Sequence, residues 1–209
     1  VKTHERLVFH AHARPWVWSP RWQPVEDDRL LKVPLSHVDV KPGGRLDLQL
    51  SGDLPDDWCL RLANGLSGAG IGLLNGYARR IEARAWLAQL EVERAPGDSR
   101  MPDFLGLSMS GTLRRRRRDP VILDFELAES RARGGLLELR VVAHDAVGLL
   151  AGVLHRVRAV GLAVEELLLA TDGGEATHRL ALRRLDFGPP RPIDRRAIAH
   201  SLALLVRSG

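Results

Sequence analysis

A chain of 209 residues, 44% hydrophobic and 27% charged, has the size and composition of one or two soluble domains. No apolar run reaches the ~18 residues of a membrane span, and Val1-Lys2-Thr3-His4-Glu5-Arg6 lacks the apolar core of a secretion signal. The single cysteine, Cys59, excludes an internal disulfide and fits a cytoplasmic setting, while the +5 net charge resides wholly in Arg114 to Arg118, since 26 basic and 26 acidic residues remain without those five.

Residues 1–34 read as an arm. Trp16, Trp18 and Trp22 stand among Pro15, Pro20 and Pro24, so the indoles are expected to pack on the body of the protein or dock on a partner. His10 and His12 form an H-x-H pair without further ligands at metal spacing, and no metal site is expected. Residues 35–112 form the first unit. Val38 and Val40 open it as a short leading strand. Leu46, Leu48 and Leu50 then alternate with polar residues at the period of a half-buried strand. Cys59, Leu62, Ala63 and Leu66 fall on one helical face, which makes Cys59 a buried structural thiol rather than a nucleophile, and Gly70 closes the helix. Ile71 and Leu73 begin a strand, Glu82 marks a turn, and Trp86, Ala88, Leu90 and Val92 alternate in another. A weak helical pattern spans Pro102 to Ser110.

Residues 113–119 read as an arginine-rich linker, and 120–209 as a second unit that repeats the first. Pro120 opens a leading strand with Val121, Leu123, Phe125 and Leu127. At a constant offset of 91, Leu137, Leu139 and Val141 repeat Leu46, Leu48 and Leu50. At the same offset Leu150, Val153, Leu154 and Val157 repeat the helix, and Gly161 repeats Gly70. Leu162 and Val164, a Gly173-Gly174 turn, and Ala176, His178, Leu180 and Leu182 follow as a hairpin. Pro192 opens a last helix lined by Ile198, Leu202 and Leu205. Each unit therefore reads strand, helix, strand, strand, helix. A ferredoxin-like unit needs a fourth strand, and each leading strand is expected to fill that place in a permuted order. The expected fold is α+β, with two ferredoxin-like units, each an antiparallel sheet carrying two helices.

Asp145, Gly148, Leu149, Leu150, Gly161, Thr171 and Gly173-Gly174 carry a resemblance to ACT domains, small modules that bind amino acids and regulate. The pair resembles the C-terminal ACT tandem of PII-uridylyltransferases and free-standing tandem-ACT regulators, including the leading strand Pro120-Val-Ile-Leu-Asp-Phe. The match covers about residues 121–185 well, 35–93 weakly, and the first 34 not at all. Where the family has Arg-Pro between the Asp and the Gly, this chain has Ala146-Val147. In the first unit the aligned turn is Asp53-Leu54-Pro55-Asp56-Asp57, with Asp57 in place of Gly148, so that unit is expected to be degenerate as a binding site.

The resemblance implies a ligand site at the strand-to-helix turn, with His144, Asp145, Val147, Gly148, Leu149, Leu150 and Val164 around it. The chemistry is plain. A helix start offers unpaired N–H groups and partial positive charge to a carboxylate, Gly148 lets a ligand approach the backbone, and Asp145 can accept from an ammonium. The competing reading is that Asp145 only caps its own helix and Gly148 only permits close packing. His144 and His178 read as ordinary edge or core histidines. No nucleophile-elbow, zinc-protease or phosphate-loop pattern occurs, so no enzyme and no cofactor are expected.

The function expected is a non-catalytic, allosteric regulator, dimeric and cytoplasmic, with an amino acid as effector and a regulated enzyme as possible partner in trans. The alternative is a docking module with a vestigial site, acting through the tryptophan arm or Arg114 to Arg118 on protein or nucleic acid. The last pairing strand, Ala176 to Arg184, carries no aromatic residue for stacking on RNA bases, which disfavours nucleic acid.

Overall fold

The computed structural model describes residues 32–82, 84–94, 101–112, 120–130 and 135–206. The greater part of the tryptophan arm, including Trp16, Trp18, Trp22, His10 and His12, and the run Arg114 to Arg118 lie outside the described residues. The fold is α+β. One eight-stranded antiparallel sheet carries four α-helices among the described residues.

The strands are β1 (Leu35–Val40), β2 (Arg45–Asp53), β3 (Gly72–Arg80), β4 (Ala85–Glu93), β5 (Ile122–Ser130), β6 (Leu136–His144), β7 (Leu162–Asp172) and β8 (Glu175–Arg184). The helices are α1 (Trp58–Ala69), α2 (Phe104–Ser110), α3 (Leu149–Ala159) and α4 (Pro192–Ala203). The sheet order is β1-β2-β4-β3-β7-β8-β6-β5. Each leading strand pairs with the strand that follows it, β1 on β2 and β5 on β6, and so takes an outer edge. The weak pattern near Pro102 is a helix, α2, begun by Asp103, whose side chain accepts from the Gly106 N–H at 2.8 Å.

A single row of side chains explains the core. Val38, Leu48, Leu90, Gly76, Leu169, His178, Val141 and Phe125 are opposite one another, strand to strand, across the whole sheet. Directly paired residues in an antiparallel sheet share a face, so the period-two leucines of both halves point the same way. The helices cover that face. Leu62 and Leu66 of α1, Phe104 of α2, Val153 and Leu154 of α3, and Ile198 and Leu202 of α4 join the strand residues in one continuous core. Cys59 lies in it, and burial pushes its thiol up to about 12, which removes the thiolate a nucleophile needs.

The repeat has a physical centre. Where β3 meets β7, Tyr77 is opposite Leu168, its own counterpart at an offset of 91. Above the sheet α1 packs on α3, and His155 Nε2 is 3.1 Å from Asn64 Oδ1, again residues 91 apart. An approximate two-fold axis passes through these two pairs. Irregularities in the ladder obey it as well: β3 bulges between Leu73 and Asn75, and β7 bulges between Val164 and Glu166.

Close packing at one glycine gives a test of the helix positions. A Cβ on Gly152 of α3 would stand 2.3 Å from Pro120 Cδ and 2.6 Å from its Cγ, atoms of a ring fixed to the backbone. Alanine favours a helix over glycine by about 1 kcal/mol, but overpacking costs about 1–3 kcal/mol. Gly152→Ala is therefore expected to lower the stability in chemical denaturation; an unchanged or higher midpoint would show that α3 does not sit against Pro120.

Candidate functional site

The axis relates two places where a strand-to-helix turn of one half faces the other half. Their chemistry differs because the residues differ. The turn between β6 and α3 comes first. Asp145 N–H donates to the Gly174 carbonyl at 2.8 Å, which ties the turn to the β7–β8 hairpin. Gly148 is the cap residue of α3, at φ 93°, a left-handed conformation that glycine adopts without strain. No side chain caps this helix, so the capping role considered for Asp145 is not what the turn displays. The Asp145 carboxyl instead receives the N–H of Ala146. Its pKa is raised, first by partial burial and then by the neighbouring carboxylate of Glu93, against the smaller effect of that N–H.

Beneath the turn is a cavity of about 20 Å³, the size of a water molecule. Asp145, Gly148, Leu149, Leu150 and His178 line it from the second half, with Ala146 and Ala151 beside them. Ser67 at the end of α1, Ile71 just before β3 and Leu73 near its start close it from the first half. Of the residues expected at the site, Asp145, Gly148, Leu149 and Leu150 meet here. His144 ends β6 in an exposed position, Val147 is half-buried in the turn, and Val164 is a core residue of β7; none of the three lines the cavity.

His178 is the site residue that strand periodicity alone did not single out. It is 3% exposed, and its Nδ1 has no hydrogen-bond partner. Burial lowers its pKa to about 4, so the ring is neutral at pH 7. Its two-fold counterpart in β4 is Ala88, opposite Leu50 as His178 is opposite Val141.

The mirrored place under the turn between β2 and α1 is closed by the protein's own charges. Asp57 stands where the second half has Gly148, and Arg158 stands where the first half has Ser67. The two carboxylate oxygens of Asp57 accept from Arg61 at 2.8 and 3.1 Å, and Arg158 approaches within 3.5 Å. Trp58 and Trp86, fully buried and edge-to-face at 5.5 Å, stand where the second half has Leu149 and Ala176. Asp56 joins a further cluster. Arg80 reaches Asp56 at 2.6 Å and Glu165 at 3.1 Å, and Arg183 pairs with Glu165 and approaches Asp56 at 3.3 Å. Glu165 is the extra residue of the β7 bulge, a distortion that re-aims its side chain. The counterpart of Arg183 on the second side is Glu93. The first turn thus faces guanidinium, and the second turn faces carboxylate.

Among the described residues no group of three or more His, Cys, Asp and Glu side chains could hold a metal ion. No described helix is long and apolar enough to cross a membrane. Compared with family models, with curated proteins and with solved structures, the chain matches none.

Two outcomes follow from these charges. Glu165→Ala would remove one of the two carboxylates that pair with the buried guanidiniums of Arg80 and Arg183; breaking a buried pair costs about 3 kcal/mol, and a loss under about 0.5 kcal/mol in denaturation would show the cluster to be solvated in solution. His178 gives a pH signature. Its folded pKa, about 4, is below the ordinary 6.5 of the unfolded chain, so the unfolded state binds more protons between those values. Stability is expected to fall by up to about 3 kcal/mol as pH drops from 6.5 to 4, and the fall should be reduced in His178→Leu. Equal pH profiles for the two proteins would mean that His178 is hydrated in solution.

Proposed function

We propose that the protein is a non-catalytic regulator built of two permuted ferredoxin-like, ACT-like units, and that it binds an α-amino acid at the turn between β6 and α3. One observation carries the reading: the same cleft presents an uncapped helix start at Gly148 and the carboxylate of Asp145, with Glu93 near enough to raise the Asp145 pKa. That is a positive and a negative pole side by side. A zwitterion has the complementary pair, its carboxylate for the N–H groups of α3 and its ammonium for Asp145. The sheet order supports the reading too, because β1 and β5 sit where a ferredoxin-like unit carries its last strand.

The cavity below the turn is small, so the common head group belongs at its open mouth, where Asp145 and Ala146 are exposed, and only a short side chain fits below. The first half supplies Ser67, Ile71 and Leu73 to the same cleft, so occupancy bears on how α1 and β3 sit against α3. A ligand with different affinity for two arrangements of the halves shifts the balance between them, which is how binding here would regulate. The mirrored turn, filled by Asp57 and Arg158, takes no ligand in this reading.

The test is a thermal-shift survey of the twenty amino acids, with calorimetry on those that stabilise. A ligand at about a hundred times its Kd adds roughly 2.7 kcal/mol. Asp145→Ala is expected to weaken binding by about 10- to 100-fold through loss of a charge-assisted hydrogen bond, with the melting temperature of the free protein little changed. A flat survey at millimolar concentration would end the amino-acid reading. A large loss of stability in Asp145→Ala with binding intact would return the residue to a structural role.

A further inference from the structure

We infer that His178 selects the effector: the site takes an amino acid with a small hydroxyl-bearing side chain, of the serine and threonine class, and discriminates against its aliphatic counterparts. The inference rests on the amino-acid reading above and goes beyond it by assigning the side chain.

Three observations converge. The first is position. His178 lies in the central row of the sheet, opposite Leu169 on one side and Val141 on the other, and its side chain forms part of the cavity wall beneath Gly148 and Leu149. The second is the open hydrogen-bonding site. At 3% exposure His178 is far from solvent, and Nδ1 lacks a partner in a core where nearly all its neighbours are apolar. An unmet polar atom in such a place costs stability unless something reaches it. The third is size. A cavity of about 20 Å³ admits a group of about one or two heavy atoms.

A hydroxyl satisfies all three. A neutral imidazole offers one donor and one acceptor nitrogen, and which is which follows from the partners each meets. A hydroxyl both donates and accepts, so it pairs with a ring nitrogen at the cavity wall in either tautomer. A carboxylate or ammonium at that depth would be desolvated without a counter-charge from the ring, and a larger amide or aromatic group exceeds the space. An alanine methyl or one methyl of valine would enter but leave the ring unmet.

The decisive comparison is between near-isosteres, serine against alanine and threonine against valine, measured by calorimetry on the full chain and on His178→Leu and His178→Asn. In the unsubstituted protein the hydroxyl member of at least one pair is expected to bind about tenfold or more tightly. In His178→Leu the ratio should shrink to about twofold or less while head-group binding persists, and the tighter ligand should lose more affinity than the weaker one. His178→Asn keeps a polar group at the wall and is expected to retain a part of the preference. Should His178→Leu fail to fold, the ratio in the unsubstituted protein and its change in His178→Asn decide. Equal binding within both pairs, or a preference unmoved by either substitution, overturns the role of His178 and leaves the amino-acid reading standing. So does tight binding of a large aromatic or a charged amino acid alone. If no amino acid binds, both fall together.

Discussion

The antiparallel pairing of β3 with β7 is the contact on which the rest depends. Gly76, Tyr77, Ala78 and Arg79 are opposite Leu169, Leu168, Leu167 and Glu166, and this short ladder turns two four-stranded arrays into one sheet. It brings α1 against α3, continues the row of core residues from Leu48 to Val141 without interruption, and sets each strand-to-helix turn against the opposite half. Two separate cores of this length would bury less apolar surface each, and area removed from water is the dominant favourable contribution to folding. The joint is also what creates clefts, because two convex helix-covered arrays cannot meet without leaving space where the turns face across.

Symmetry then makes the difference between the clefts informative. The halves share the bulges in β3 and β7, so the contrast comes from the side chains and from the turn backbone, with Asp57 at φ −105° where Gly148 is at φ 93°. On one side Arg158 and Asp57 meet, Arg61 holds the same carboxylate, and two indoles fill the space behind them. On the other side the corresponding positions hold serine, glycine, leucine and alanine. Small residues leave room, and a left-handed glycine exposes the backbone N–H groups that a bulkier side chain would shield. Charge is inverted as well, with Arg183 facing the first turn and Glu93 the second. An ion pair inside the first cleft does the neutralising that the second leaves to whatever enters it.

Much of this was legible in the sequence, and the reasons are physical. Period-two leucines and the i, i+3, i+4, i+7 spacing of the helices recur at one offset, so the strands and α1 and α3 could be read from both copies at once. Gly70 and Gly161 mark the helix ends at φ 73° and 78°. The leading strands were legible from the alternation of Val38 and Val40, and of Val121, Leu123, Phe125 and Leu127, just before each repeat. What pattern could not supply was contact between distant segments. Nothing in Tyr77 or Leu168 advertises that they face each other, and the cavity wall contributed by Ser67, Ile71 and Leu73 depends wholly on that. The alternation of Trp86, Ala88, Leu90 and Val92 with that of Ala176, His178, Leu180 and Leu182 already set His178 beside Ala88, but it carried no sign that His178 lines a cavity. The capping reading of Asp145 failed on local geometry: the chain makes an additional turn after Asp145, and the helix begins only at Leu149.

His178 also bears on why the core is built as it is. Every other buried member of the central row is apolar, and a leucine at 178 would continue the row while removing both the desolvation of the imidazole and its liability below pH 6.5. The ring's Nδ1 finds no partner within the protein, so internal hydrogen bonding does not explain the imidazole. Sites that bind often sacrifice local stability for an interaction completed only by the ligand. The mirrored row position is alanine, and the mirrored turn carries its own ion pairs. The unpartnered imidazole, the uncapped helix and the Asp145 carboxylate all belong to the second half, beside the joint that holds the two halves together.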